Sequence, residues 1–180
     1  MKYKIKVSDD ELISGKPNAK VKVVVFGDFE CPFCKRALKF LLENYKNNPD
    51  VAIYLKHFPL PFHRYAKPMS KIFIAGKMVG INLVDFLESY KLPKGKKVEE
   101  VEKALIDNAT KIIPSEKKGL FLKFVEDKNI MKKVDNNIAE GKDLGVTGTP
   151  TIFINGKKVV GMRPNLIKKF IEEALKNDKS

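Results

Sequence analysis

The sequence predicts an α/β fold, in which a central mixed β-sheet is flanked by helices and an all-helical subdomain is inserted into the chain. Two short β-branched runs, residues 21–26 and 51–58, have the composition of buried strands. Two further apolar runs, residues 152–154 and 157–160, are joined by an Asn-Gly pair, which is a strong hairpin signal. Between these two halves of the sheet, apolar residues recur only at helical spacing, which predicts the inserted helices.

The first half of the fold is predicted as a strand–helix–strand unit. Residues 4–7 are expected to form an edge strand, and residues 21–26 the first core strand. A helix with apolar residues at helical spacing then extends to Tyr45. Because a helix connects the two core strands, residues 51–58 are expected to run parallel to the first strand.

The middle of the chain is predicted to be helical, with enough apolar residues for a small core of its own. The expected helices are residues 65–79, 83–90, 98–111 and 115–142, the last splitting near residues 127–129. After the hairpin, residues 165–176 form a closing amphipathic helix. We therefore predict a discontinuous sheet domain, residues 1–62 and 143–180, and a helical insertion, residues 63–142.

The only two cysteines, Cys31 and Cys34, lie two residues apart at the predicted start of the first helix. A disulfide between them would close too short a loop to stabilise a fold through chain entropy, which argues against a structural bridge. Backbone N–H groups and the helix dipole favour an anion at Cys31. We therefore predict a redox pair, in which Cys31 is an exposed thiol of low pKa and Cys34 is the buried resolving thiol.

A metal site is the alternative interpretation of two cysteines at this spacing. Such a pair can supply two of the four ligands of a zinc ion, and His57 and His63 or carboxylates would have to supply the others. No second pair of cysteines exists, so we predict neither a metal nor another cofactor. The two histidines are interpreted as structural or exposed residues, with a possible influence on the cysteine site left open.

Two motifs resemble the thioredoxin superfamily, and most closely its DsbA-like thiol–disulfide oxidoreductases. They are the Gly-Asp-Phe-x-Cys-Pro-x-Cys segment that ends at Cys34 and the Leu-Gly-Val-x-Gly-Thr-Pro-Thr segment that ends at Thr151. The resemblance implies a thioredoxin fold with a helical insertion, and a cis peptide bond between Thr149 and Pro150. It also implies that Thr149 and Pro150 support the active site, together with the residues between the cysteines.

The function implied is exchange of disulfides with protein substrates, with a partner protein that regenerates the Cys31–Cys34 disulfide. We predict a dithiol oxidase, because Pro32 and Phe33 between the cysteines differ from the Gly-Pro pair of reducing thioredoxins. Phe33 is expected to be partly exposed and to help bind peptide. A disulfide isomerase or reductase of the same fold is the nearest alternative, and a thiol-based metal or peptide chaperone is a more distant one.

This sequence differs from the proteins that it resembles at a position that affects proton transfer. Thioredoxin-like proteins commonly have a buried acid six residues before the first cysteine, where this sequence has Val25. Asp28 and Glu30 lie in the following turn and are not assumed to replace that acid. Deprotonation of Cys34 is therefore expected to use water, Lys56 or another nearby group.

The composition bears on nucleic-acid binding, on membrane insertion and on the location of the protein. The net charge of +13 comes from 35 basic and 22 acidic residues, and lysines without an arginine–aromatic cluster are interpreted as a solvated surface that binds no nucleic acid. No segment has the apolar length of a membrane span. We expect a monomer in the periplasm or another extracytoplasmic compartment after removal of a signal, with the cytoplasm as the alternative.

Overall fold

A computed structural model of the protein describes residues 1–177. Its centre is a five-stranded mixed sheet in the order β1-β3-β2-β4-β5. The two central strands, β2 and β3, run parallel, and their neighbours pair with them antiparallel. The strands are β1 (Leu12–Ser14), β2 (Val21–Gly27), β3 (Val51–His57), β4 (Thr151–Ile154) and β5 (Lys157–Val160).

Seven α-helices accompany the sheet in the described residues. They are α1 (Pro32–Tyr45), α2 (Ala66–Met78), α3 (Val84–Ser89), α4 (Val98–Ile112), α5 (Ser115–Glu126), α6 (Ile130–Asp143) and α7 (Pro164–Lys176). The predicted helices are confirmed, including the division between α5 and α6 near residues 127–129. None of the helices within residues 1–177 is long and apolar enough to cross a bilayer.

The N-terminal segment differs from its prediction. Residues 4–7 form no strand, and the backbone bond between Tyr3 N–H and the Gly156 carbonyl, at 2.8 Å, joins this segment to the hairpin. Tyr3, Ile5 and Val7 instead pack on one face of the sheet. Their alternating apolar pattern is satisfied by burial against that face, so pairing at an edge is not needed. The edge position is taken by β1, which pairs with β3.

The insertion does not have a core of its own. Its buried residues, among them Ile72, Phe73 and Phe121, belong to the same cluster as Val23 of β2 and Leu41 of α1. The expectation of a separate small core is therefore wrong, because α2 packs against other helices of the insertion and its Phe73 also packs against His57 of β3. The division of the chain into two domains stays a prediction.

A buried charge cluster connects the N-terminal segment to β3 and α6; its members are Glu11, Lys56, Lys133, Asn137 and Glu140. Lys56 Nζ lies 3.1 Å from Glu11 Oε2 and 2.6 Å from Glu140 Oε1. The side chains of Glu11 and Lys56 are 3% and 4% exposed. Lys133 Nζ also lies 3.2 Å from Glu11, so opposite charges surround each buried ion.

Candidate active site

The two cysteines lie between β2 and α1, at one end of the central strands. β2 ends at Gly27, a turn follows, and α1 begins at Pro32. Cys31 therefore directly precedes the helix, and Cys34 lies in its first turn. Proline suits the first helical position, since its missing N–H would have no partner within the helix.

The Cys31 thiol is buried, with 4% of the residue exposed, which corrects the sequence-based expectation of an exposed thiol. The segment that precedes β4 covers it, and the Thr149 carbonyl oxygen lies 3.7 Å from Cys31 Sγ. The peptide bond between Thr149 and Pro150 is cis in the structure. The contact joins residues 118 positions apart, so the sequence around the cysteine does not reveal it.

Hydrogen bonds hold the pKa of the Cys31 thiol at about 5, far below the value of about 8.5 for a free cysteine. The largest contribution is a hydrogen bond from the Cys34 thiol, and the Thr149 side chain and the N–H groups of Phe33 and Cys34 add to it. Burial acts in the opposite direction, because it disfavours the charged form. Near neutral pH, Cys31 is therefore a thiolate.

The pKa of the neighbouring thiol, Cys34, is shifted in the opposite direction. Cys34 is fully buried, and burial is the main cause that raises the pKa of its thiol. Its hydrogen bond to Cys31 and the charge of that thiolate raise the pKa further, whereas bonds from Thr149 and from the Asp28 N–H lower it only in part. Cys34 therefore stays protonated while Cys31 is ionised, and it supplies the hydrogen bond that stabilises the thiolate.

Within residues 1–177, no carboxylate is among the groups that shift the pKa of Cys34, so none replaces the acid that is missing at position 25. Val25 is fully buried in the apolar core. Lys56, which the sequence suggested as a proton acceptor for Cys34, contacts Glu11 and Glu140 instead. Besides burial, the groups that shift the pKa of the Cys34 thiol are Cys31, Thr149 and the Asp28 backbone.

Asp28 has a role in the site that sequence reasoning missed. Its carboxylate is buried, and Oδ1 accepts a hydrogen bond of 2.8 Å from the Glu30 N–H. Oδ2 accepts one of 2.8 Å from the Leu60 N–H and lies 2.7 Å from His63 Nδ1. The only signal in the sequence was a carboxylate placed between a buried strand and the first cysteine.

The two histidines have different surroundings. His57 is in the core, where its ring lies 6.3 Å from that of Phe29 and 5.3 Å from that of Phe73. Burial lowers its pKa to about 4, so the ring is neutral at physiological pH. Within residues 1–177, its Nδ1 has no hydrogen-bond partner. His63, in contrast, is bound to Asp28 beside the cysteines.

The helical insertion contacts one side of the cysteine site. Glu30 Oε2 accepts a hydrogen bond of 3.1 Å from the Tyr65 N–H, and the Tyr65 hydroxyl donates one of 2.6 Å to the Lys96 carbonyl. From α1, Lys35 Nζ donates to the Tyr90 carbonyl at 3.4 Å. These bonds fix the insertion against the residues on both sides of Cys31.

Two exposed aromatic side chains lie near the cysteines. Phe33 is 54% exposed, which confirms its prediction, and Phe62 is 73% exposed. The Arg36 guanidinium lies 5.2 Å from the centre of the Phe33 ring. Phe62 packs edge-on against His63, at 4.6 Å between ring centres. The site thus combines buried sulfur atoms with an apolar rim.

In the described part of the chain, no three His, Cys, Asp or Glu side chains form a group that could hold a metal.

Known proteins match this chain over nearly its whole length. A family model described as thioredoxin matches residues 7–173. The chain belongs to the thioredoxin family. The match includes both cysteines and the Thr149–Pro150 segment, which are the parts of the chain that meet at the site.

Several proteins that resemble this chain are DsbA-like. A probable disulfide bond formation protein D from Bacillus anthracis is 29% identical over 172 residues, covering 90% of this chain and 77% of that protein. DsbA2 from Pseudomonas aeruginosa superposes with a TM-score of 0.71 at 20% identity, covering 97% and 98% of the two chains. BdbD from Bacillus subtilis, in its oxidised form, gives a TM-score of 0.68 at 23% identity, covering 93% and 94%. This member of the thioredoxin family is thus similar, over most of its length, to DsbA-like thiol–disulfide oxidoreductases.

Proposed function

We propose that this protein is a dithiol oxidase that introduces disulfides into protein substrates through Cys31 and Cys34. The observation that carries the proposal is the opposite ionisation of the two thiols, since the pKa of Cys31 is about 5 and that of Cys34 is raised. A stabilised Cys31 thiolate favours the reduced form of the pair. The disulfide form is then a stronger oxidant, because its reduction yields that stabilised thiolate.

The proposed reaction transfers two electrons from the substrate to the enzyme. A substrate thiolate attacks Sγ of Cys31, the Cys31–Cys34 bond breaks, and Cys34 leaves as a thiolate that takes up a proton. A second substrate thiolate attacks the substrate sulfur of the mixed disulfide and releases Cys31 as a thiolate. The substrate dithiol is oxidised to a disulfide, and the enzyme disulfide is reduced. A partner protein that accepts the two electrons regenerates the enzyme.

Substrate binding is proposed at the segment that covers Cys31. The Thr149 backbone next to Pro150 would pair with an extended stretch of substrate, since main-chain hydrogen bonds tolerate many sequences. Pro32 and Phe33, between the two cysteines in the chain, are exposed. Phe33 would contact apolar side chains of an unfolded substrate, which suits an enzyme that acts before its substrates are folded.

Cysteine variants test the assignment of the two thiols. Cys31→Ser should abolish disulfide exchange with a reduced, unfolded substrate protein, because the attacked sulfur is missing. Cys34→Ser should accumulate a mixed disulfide through Cys31, which non-reducing electrophoresis and mass spectrometry detect. If Cys31→Ser is the variant that accumulates the mixed disulfide, the assignment is reversed.

The reduction potential, measured by equilibration with glutathione, tests the direction of the reaction. An oxidase is expected above about −180 mV, between the values typical of protein disulfide isomerase and DsbA. A value near about −270 mV, typical of thioredoxin, would make the protein a reductase.

Efficient repair of scrambled disulfides by a stable dimer would favour the isomerase, whereas we propose a monomer. Stoichiometric metal retention without thiol exchange would favour the chaperone.

We also propose an extracytoplasmic location, where protein disulfides persist. A similar fold is found in a periplasmic thioredoxin-like protein from Salmonella enterica serovar Typhimurium, with a TM-score of 0.73 at 20% identity. In intact cells, a membrane-impermeant maleimide should label reduced Cys31 if the proposal holds. Labelling only after lysis would place the protein in the cytoplasm.

A further inference from the structure

The turn between β2 and α1 connects both cysteines to one carboxylate. The Cys31 N–H donates a hydrogen bond of 3.0 Å to the Asp28 carbonyl. The backbone N–H of Asp28 lowers the pKa of the Cys34 thiol. The main chain of Asp28 therefore acts on both redox residues, while its side chain points away from them towards Leu60 and His63.

Three donors from separate parts of the chain hold the Asp28 side chain. The Glu30 N–H belongs to the same turn, the Leu60 N–H to the segment after β3, and His63 Nδ1 to the start of the helical insertion. The side chain of Asp28 is fully buried, and that of His63 is 17% exposed. A charge-assisted bond of 2.7 Å in such surroundings is among the stronger polar contacts in a protein. Rotation of the turn would break all three bonds.

We propose that Asp28 and His63 are positioning residues for thiol–disulfide exchange, because their pair fixes the turn that holds the backbone of Cys31 at the start of α1 and so sets the reduction potential of the Cys31–Cys34 pair. The inference rests on the proposed function. It identifies a pair of residues outside the cysteine motif that influences the equilibrium between the oxidised and reduced forms.

A purely structural role makes a different prediction. A buried carboxylate needs partners wherever it lies, so loss of His63 would destabilise the protein in either case. The reduction potential, however, depends on the difference in stability between the oxidised and reduced forms. A structural role lowers both stabilities equally and leaves the potential unchanged. A positioning role weakens the hydrogen bonds to the thiolate and therefore lowers the stability of the reduced form more.

The experiment compares the wild-type protein with His63→Leu, which removes the donor, and with His63→Asn, which keeps a donor at a similar distance from the backbone. Asn155→Gly is the matched control. Its side chain accepts a hydrogen bond from Lys22 N–H and donates one to the Lys20 carbonyl, at the end of β2 that is far from the cysteines. Glycine also tolerates the φ of 44° at that position.

Two quantities are measured on each variant: the equilibrium constant with glutathione and the pH midpoint of Cys31 alkylation by iodoacetamide. For His63→Leu we expect the equilibrium to shift about tenfold towards the oxidised enzyme, which is about 30 mV, and the alkylation midpoint to rise by about one pH unit. His63→Asn should restore most of both values. Asn155→Gly should lower the melting temperature and change neither quantity.

The outcomes separate the two proposals. If the wild-type protein exchanges disulfides but His63→Leu keeps its potential and midpoint within about twofold, the positioning role is wrong and the proposed function stands. If the wild-type protein does not exchange with glutathione at all, the proposed function is wrong. Should His63→Leu fail to fold, Asp28→Asn decides the matter. A higher alkylation midpoint supports positioning, and an unchanged or lower midpoint, as expected from the removal of a negative charge alone, overturns it.

Discussion

The protein buries ionised groups at two places and stabilises them in different ways. In the buried charge cluster, Lys56 lies between Glu11 and Glu140, and every charge has an opposite charge within about one hydrogen-bond length. At the cysteine site, the Cys31 thiolate is stabilised by the neighbouring Cys34 thiol and by backbone N–H groups at the start of α1. The comparison shows that ion pairing fixes the fold, whereas hydrogen bonding leaves a thiolate available for reaction.

Breaking the buried charge cluster should have the largest effect on stability. Lys56→Met removes the central cation and leaves Glu11 buried, which typically costs about 3–5 kcal/mol. Lys133 remains 3.2 Å from Glu11, so we expect the lower end of this range. Urea unfolding of the oxidised protein measures the change in the free energy of unfolding.

The double variant Glu11→Gln with Lys56→Met is the control for this prediction, because it leaves no uncompensated charge on Glu11. It should be more stable than Lys56→Met alone. The reduction potential should stay at its wild-type value in both variants. A change in potential as large as that expected for His63→Leu would mean that the two places are coupled.

The pH dependence of stability should distinguish the reduced from the oxidised protein. The pKa of Cys31 is about 5 in the folded protein and about 8.5 when unfolded, so the unfolded chain binds more protons between these two pH values. The stability of the reduced form should therefore rise with pH across this window, by at most about 1.4 kcal/mol per pH unit. It is lost as the pH falls through about 5.

The oxidised protein has no ionising thiol and supplies the reference curve. Urea unfolding of both forms between pH 4 and pH 8 should show that the free energy of unfolding of the reduced form rises with pH relative to that of the oxidised form. Parallel curves would mean that Cys31 is not a stabilised thiolate. The buried charge cluster contributes equally to both forms and cancels from the difference.

Removal of one hydroxyl should have a smaller effect. Thr149→Val keeps the shape of the side chain but removes a buried hydroxyl that has no hydrogen-bond partner within residues 1–177 and that lowers the pKa of the Cys31 thiol. A hydrogen bond from such a hydroxyl to a charged group is worth about 1.5–3 kcal/mol. We expect the alkylation midpoint of Cys31 to rise by about one pH unit. Thr147→Val, two residues away and exposed, is the matched control and should leave the midpoint unchanged. Equal midpoints in the two variants would mean that the Thr149 hydroxyl does not stabilise the Cys31 thiolate.

The outer member of the charge cluster should matter least. Lys133 is 27% exposed, and its bonds to Asp10 and Glu11 are partly screened by water. Lys133→Met should therefore cost less than about 1 kcal/mol, as is usual for exposed ion pairs. A loss as large as that of Lys56→Met would show that Glu11 depends on both lysines.

Local patterns predicted much of this molecule, and contacts between distant residues account for what they missed. The strand, turn and helix around Cys31 are encoded within about 25 residues, periodicity located the helices, and the Asn-Gly pair located the hairpin. The burial of Cys31 depends on Thr149, 118 residues away, and the Asp28–His63 pair joins two loops. Neither contact leaves a periodic signal. Residues 4–7 show a related ambiguity, because alternating apolar residues suit both an edge strand and a segment that lies across a sheet.

The attachment of the two chain ends has a consequence for how the protein can be tethered. Tyr3 bonds to the hairpin at Gly156, and Lys20 bonds to the carbonyl of Leu175 near the end of α7. Both contacts lie at the end of β2 where that strand begins, about 20 Å along the strand from the cysteine turn. A linker, an anchor or a fused domain attached near Tyr3 or Leu175 would therefore lie at the end of the sheet opposite the cysteine turn. The cysteine site would then face away from the point of attachment.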